Sequence, residues 1–182
     1  MKRRSFLHLA ASAATAIATL MAPSTLALGQ QAVTTDKLTG TWKLQSFYDE
    51  SVDSGKKTNV FGDNPRGYMI FTPDQRTALV YVSVSRVAPK SPPPTDMEAA
   101  GLFKTMLAYV AKYEIDPAPS TADGTKMIIR AEIASNPLIE GANRGFFVRV
   151  DGNKLIFKTN PPARSPLTGE VSTRNVILER EQ

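Results

Sequence analysis

From residue 38 onward, apolar and polar positions alternate in short runs rich in β-branched and aromatic side chains. Alternation with a period of two puts successive side chains on opposite faces of a strand. It predicts eight strands, at 41–49, 66–72, 77–86, 109–116, 125–135, 144–150, 154–159 and 173–181. One segment breaks the pattern. Thr95-Asp96-Met97-Glu98 has the form of a capping box, and Ala99, Leu102, Phe103 and Met106 then recur on one helical face, so a short helix is expected between strands three and four. Pro89 and Pro92-Pro93-Pro94 lead into it as a stiff entry, with a polyproline docking motif as the other reading.

The first strand opens on Gly40-Thr41-Trp42, and the second follows as Asn64-Pro65-Arg66-Gly67-Tyr68, running into Thr72-Pro73-Asp74. In that order, ahead of six further strands, these blocks resemble the bacterial lipocalin-like domain family. The resemblance covers roughly Leu38 to the C-terminus. It implies an all-β, eight-stranded antiparallel up-and-down barrel around a binding cavity, and it names neither a ligand nor a reaction.

In such a barrel, odd and even connections lie at opposite ends. The odd ones here are long or moderate (50–65, 87–108, 136–143 and 160–171), whereas two of the even ones are tight (73–75 and 151–153) and the third is moderate (117–124). One end is therefore a loop-rich mouth and the other nearly closed. At the closed end, Trp42 begins strand one and Arg180 ends strand eight, which places the guanidinium across the indole as a structural pair.

Parity then assigns side chains to the lumen. Trp42, Leu44, Ser46 and Tyr48 form one inward row, and Tyr109, Ala111, Tyr113 and Ile115 another. Met127, Ile129, Ala131 and Ile133 form a third row, which leaves Arg130 and Glu132 outside as a solvated pair; Arg144, Phe146, Val148 and Val150, then Leu155 and Phe157, complete the set. Strands two and three are apolar on both faces; Tyr68 with Ile70, and Val80 with Val82 and Val84, are assigned inward. On this assignment Arg66, Arg86, Arg144 and Arg174 all sit at the mouth with lumenal parity, over a cavity lined by Tyr68, Tyr109, Tyr113, Phe146 and Phe157. Guanidiniums over an apolar pocket suit a carboxylate or phosphate head group. Each Arg can instead pair with loop acids such as Asp49, Glu50, Glu140 or Glu170, and the small barrel can instead be filled by its own side chains.

Composition narrows the chemistry. Lys2-Arg3-Arg4-Ser5-Phe6-Leu7 resembles a twin-arginine export signal, and an apolar run from Leu9 to Met21 follows it. Residues 1–29 are expected to be a cleaved export signal, 30–37 a linker and 38–182 the barrel domain. The run is short for a membrane span, so no stable span is expected after processing, and a periplasmic or secreted location follows. Removing Lys2, Arg3 and Arg4 lowers the formal net charge from +5 to +2. The remaining basic residues are scattered among acids, so no nucleic-acid partner is expected.

The only His is His8, inside the leader, and there is no Cys. A mature chain without either lacks the usual zinc, copper and haem ligands, and it cannot run Ser-His-acid or Cys-His catalysis. No metal site and no cofactor are expected. Three functions stay open: binding of a small apolar or amphiphilic molecule, a metal-free cyclase or isomerase of the kind found among lipocalin-like barrels, and a filled barrel serving as a structural or protein-interaction module. The precursor's partner would be the twin-arginine export machinery.

Overall fold

The computed structural model describes residues 32–165 and 168–181, so the expected export signal lies outside the described residues. Ten strands are present among them: β1 (Gly40–Ser51), β2 (Lys57–Asn59), β3 (Arg66–Phe71), β4 (Arg76–Val82), β5 (Met106–Ile115), β6 (Thr125–Ala134), β7 (Asn143–Asp151), β8 (Lys154–Thr159), β9 (Ala163–Arg164) and β10 (Val171–Arg180). Eight of them close an antiparallel barrel in the order β1-β3-β4-β5-β6-β7-β8-β10, with β10 returning to pair β1. The short strands β2 and β9 extend the β1 and β10 edges at the mouth.

Among the described residues two α-helices accompany the strands, α1 (Thr35–Leu38) and α2 (Asp96–Lys104), with one 3-10 turn at Pro137–Ile139. The helix was expected between strands three and four. It lies after β4 because the first long loop folds back as β2 and advances the count. The capping box forms, with the Thr95 hydroxyl accepting from the Glu98 amide and the Glu98 carboxylate accepting from the Thr95 amide. The helix stops at Lys104, and Met106, expected on its apolar face, begins β5 instead.

The closed end is sealed by the chain that precedes β1. Within the expected linker, 30–37, Val33 is buried in the core, as is Leu38 at the start of the barrel domain, and the Val33 amide donates to the Thr125 hydroxyl. Trp42 is fully buried, and its indole N–H donates to the Leu38 carbonyl at 2.7 Å. The Arg180 guanidinium lies 4.1 Å from the Trp42 ring centroid and donates to the Thr39 and Lys37 carbonyls at 2.9 and 2.6 Å. One residue thus covers the indole and ties two carbonyls of the α1 segment, which would otherwise need water.

Two β-bulges change the inward rows. Leu44 faces Leu178 but Ser46 faces Ile177, so Gln45 is the extra residue in β1. An inserted residue reverses side-chain parity beyond it. Phe47, Asp49 and Ser51 are therefore buried, in place of the expected Ser46 and Tyr48. In β6, Val110 faces Ile133 but Ala111 faces Ala131, so Glu132 is extra and Ile133 turns outward to 69 % exposure. Glu132 is on the outer face as expected, where its partners are Arg76 at 2.6 Å and Lys112 at 3.6 Å rather than Arg130.

The two-sided apolar strands take the opposite face to the one assigned from parity. Met69 and Phe71 of β3, and Thr77, Leu79 and Tyr81 of β4, are buried, whereas Tyr68, Ile70 and Val80 are 44 to 52 % exposed and Val84, beyond the end of β4, is 48 % exposed. Register explains the choice. Trp42 pairs with Met69, so the fully buried indole fixes Met69 on the inner side of the sheet. Gly67 permits the β3–β4 contact there, with φ +151° and a position where a Cβ would fall 2.0 Å from the Val80 carbonyl and 2.9 Å from the Tyr81 ring.

Candidate functional site

The interior is largely filled by aromatic rings. Phe71 packs edge-on against Tyr113 and parallel to Phe157, and Phe146 meets Phe157 edge-on. Between this layer and the mouth lies a pocket lined by apolar side chains, among them Phe47, Met69 and Ile129, with Tyr81, Tyr109, Arg144 and Arg174 as its polar members. Its volume is about 30 Å³, room for one or two waters.

Arg144 and Arg174 belong both to this pocket and to an outer cleft, which also includes Asp49, Ile139, Ala163, Arg164 and Ser165. The two guanidiniums form a shelf between mouth and interior. Their circumstances differ. Arg174 grips Asp49 with two hydrogen bonds, Nε to Oδ1 at 2.7 Å and Nη2 to Oδ2 at 2.9 Å, and lies over the Phe47 ring at 5.1 Å. The Ser165 hydroxyl donates to the same carboxylate at 2.6 Å. Burial on its own would raise the Asp49 pKa, but the hydrogen bonds from Arg174 and Ser165 and the Arg174 charge outweigh it and hold the carboxyl below its ordinary value.

Arg144 has no acidic partner among the described residues; it contacts the Phe146 face at 5.8 Å and reaches into both spaces. Its pKa is drawn down by burial and by the Arg174 charge, with Tyr109 opposing. A guanidinium so placed remains cationic, since even a lowered Arg pKa starts far above neutrality.

Two tyrosines line the same pocket. Tyr81 is 2 % exposed and its hydroxyl has no protein hydrogen-bond partner, and Tyr109 is 8 % exposed. Burial pushes Tyr109 to about 12, against a lowering by Arg144. Burial likewise raises Tyr81 well above its ordinary value, with Tyr109 adding to the shift. Each group therefore feels the next along a line from Tyr81 through Tyr109 and Arg144 to Arg174. Among the described residues, no three His, Cys, Asp or Glu side chains come together that could hold a metal ion.

Of the residues singled out by parity, Tyr109, Arg144, Phe146, Phe157 and Arg174 meet at the pocket. Four others do not. Arg66 and Tyr68 lie exposed on the outer face, because β3 presents Met69 and Phe71 inward. Arg86 falls beyond the end of β4 at Val82 and lines a separate groove with Glu98 and Leu102 of α2. Tyr113 is buried below the pocket against Phe71, its hydroxyl directed to the Thr72 carbonyl.

The pocket also contains residues that parity did not bring to it: Phe47, Met69, Leu79 and Tyr81. Asp49 joins them at the cleft. The Trp42–Met69 pairing would have turned β3 the right way, but only once the register was known.

Residues 39–180, nearly the whole of the barrel, match the family model of the lipocalin-like domain. No curated protein shows a significant match to the chain.

Proposed function

The chain belongs to the lipocalin-like domain family, barrels suited in general to small-ligand binding, and from that membership we propose that it binds a small, mainly apolar molecule with an anionic group. Arg144 carries this reading. It is a half-buried guanidinium at the top of an apolar pocket with no acidic partner among the described residues, whereas Arg174 beside it is already neutralised by Asp49. A ligand anion completes Arg144 through charge-assisted hydrogen bonds. The location we propose is the periplasm, on the Arg3-Arg4-Ser5-Phe6-Leu7 run and the apolar segment behind it, with the export machinery as the partner of the precursor.

Calorimetry with octanoate and methyl octanoate tests the binding. The acid should bind more tightly than the ester, and Arg144→Gln should weaken the acid by about 1.5–3 kcal/mol while leaving the ester nearly unchanged. Equal affinities of acid and ester would remove the anionic group from the proposal. The small inner volume favours a second reading, a filled barrel acting as a structural or interaction module, and failure of both probes to bind would put it first.

A further inference from the structure

We infer that the anion is held in the outer cleft rather than in the inner pocket, and that the cleft takes the dianionic head of a phosphate monoester between Arg144 and Arg164. This rests on the anionic-ligand reading above and fixes the place and the class of the head group. The inner pocket, at about 30 Å³, admits a water or two. The cleft outside it measures about 300 Å³, at the lower end of the roughly 300–1,000 Å³ usual for small-molecule sites.

Charge is the first argument. Three guanidiniums line the cleft, those of Arg144 on β7, Arg164 on β9 and Arg174 on β10, against one carboxylate, that of Asp49, which leaves a formal charge of +2. Asp49 is already engaged, accepting twice from Arg174 and once from Ser165. Glu140, in the turn between β6 and β7, directs its carboxylate to the Ala134 amide and does not line the cleft. Neither Arg144 nor Arg164 has an ion pair among the described residues. A carboxylate ligand would neutralise half of the excess, whereas a phosphate monoester, with a charge of about −1.5 to −2 at pH 7, matches it.

Hydrogen-bond donors are the second. Arg144 makes no hydrogen bond among the described residues, and its nitrogens are open rather than sealed, unlike the unpartnered buried Tyr81 hydroxyl and Arg149 Nε. Arg164 uses Nη1 on the Gly169 carbonyl and keeps its other N–H groups. Thr159 Oγ1 accepts the Arg174 amide at 2.8 Å, so its own O–H is left to donate. All three line one space, and an acceptor-only oxyanion with oxygens pointing in several directions answers them. Ile139 and Ala163 add apolar surface for the organic group of the ester.

Calorimetry at pH 8 with octyl phosphate, methyl octyl phosphate and octanoate tests this. The monoester is a dianion there and the diester a monoanion with the same tail, so wild type should prefer the monoester by about tenfold or more. At pH 5 the monoester carries a single charge and the preference should vanish. The cleft's own charges do not change between these pH values, since its guanidiniums stay protonated and Asp49 is held below its ordinary value. Arg164→Gln should weaken the monoester about tenfold, the scale of a hydrogen bond to a charged group, and leave octanoate, gripped by Arg144, nearly unchanged. Lys90→Gln removes the same charge from a different groove of the mouth and should leave the ratio of monoester to diester as in wild type. Trp42 emission and thermal midpoints verify that each variant is folded. Equal binding of monoester and diester at pH 8, unchanged monoester affinity in Arg164→Gln, or equal losses in Arg164→Gln and Lys90→Gln would overturn the phosphate site, while octanoate binding that depends on Arg144 would keep the anionic-ligand reading. Binding of none of the three by wild type would overturn both.

Discussion

Replacing Asp49 by Asn should make the protein less stable and, at the same time, a better anion binder. Asp49 has a side chain only 3 % exposed, and its partner Arg174 is 20 % exposed. Two hydrogen bonds of 2.7 and 2.9 Å join them. Asn keeps the shape but turns one acceptor into a donor facing a guanidinium. Breaking a fully buried ion pair by removing one partner costs about 3–5 kcal/mol. Residual access of Arg174 to solvent reduces that figure, and roughly 3 kcal/mol is expected, equivalent to about 6–12 °C in Tm for a domain of this size. The freed Arg174 then adds a second unpaired guanidinium to the shelf, and octanoate affinity should rise about tenfold if it gains one charge-assisted hydrogen bond.

Thermal unfolding by circular dichroism and calorimetry with octanoate read the two effects separately. The acid limb gives an internal check. The folded pKa of Asp49 is depressed, so its contribution is fully present above the unfolded value of about 3.9 and is lost as pH falls through the lower folded value. The stability curves of wild type and Asp49→Asn should therefore approach one another only in that acid window. An unchanged Tm at pH 7, or a variant that loses anion affinity together with stability, would refute the assignment of Asp49 as the group that neutralises Arg174.

Three further outcomes follow from the geometry. Trp42→Ala should destabilise by about 3–5 kcal/mol, as for other large buried aromatics, and the wild-type indole should emit to the blue of a solvated one; an emission maximum typical of exposed Trp would contradict its burial. The pKa of Tyr109 is raised to about 12 and that of Tyr81 is raised too, so the stability dependent on these neutral phenols is intact below pH 10 and falls as pH rises from about 10 towards 12, by about 3 kcal/mol for Tyr109 alone; urea midpoints at pH 9 and 11 should show this loss, and Tyr109→Phe should flatten it. Changing Arg3 and Arg4 together to Lys should leave the precursor in the cytoplasm, and undiminished mature protein in the periplasm by cell fractionation would remove the twin-arginine assignment.

The strand positions, the capped helix and the Trp42–Arg180 neighbourhood were legible because each depends on local pattern or on the ends of the first and last strands. The inward rows of β5, β7 and β8 were legible too, since no bulge on those strands reverses the parity of Tyr109, Ala111 and Tyr113, of Phe146 and Val148, or of Leu155 and Phe157. Asp49 was not. A single extra residue at Gln45 reverses parity beyond it, and nothing in the spacing of Leu44, Ser46 and Tyr48 signals the insertion. Tyr81 was lost for a different reason. In β4 the row Thr77, Leu79, Tyr81 has a polar start, whereas Val80 and Val82 offer a cleaner apolar row, and the polar start is buried all the same. Pairing partners decide such strands, and partners belong to the closed barrel rather than to the segment.

The seal at the closed end also constrains how the molecule is made. Arg180 reaches back across 141 residues of sequence to the Thr39 carbonyl, and β1 finds a barrel neighbour in β10. A nascent chain that has not yet delivered β10 can zip its successive hairpins one by one, but its first strand keeps an open edge until β10 has emerged. Ring closure is thus a late and sequence-distant step, of the kind that places all-β barrels in the millisecond-to-second range of folding times. During that interval the unpaired edge of β1 is available to other chains.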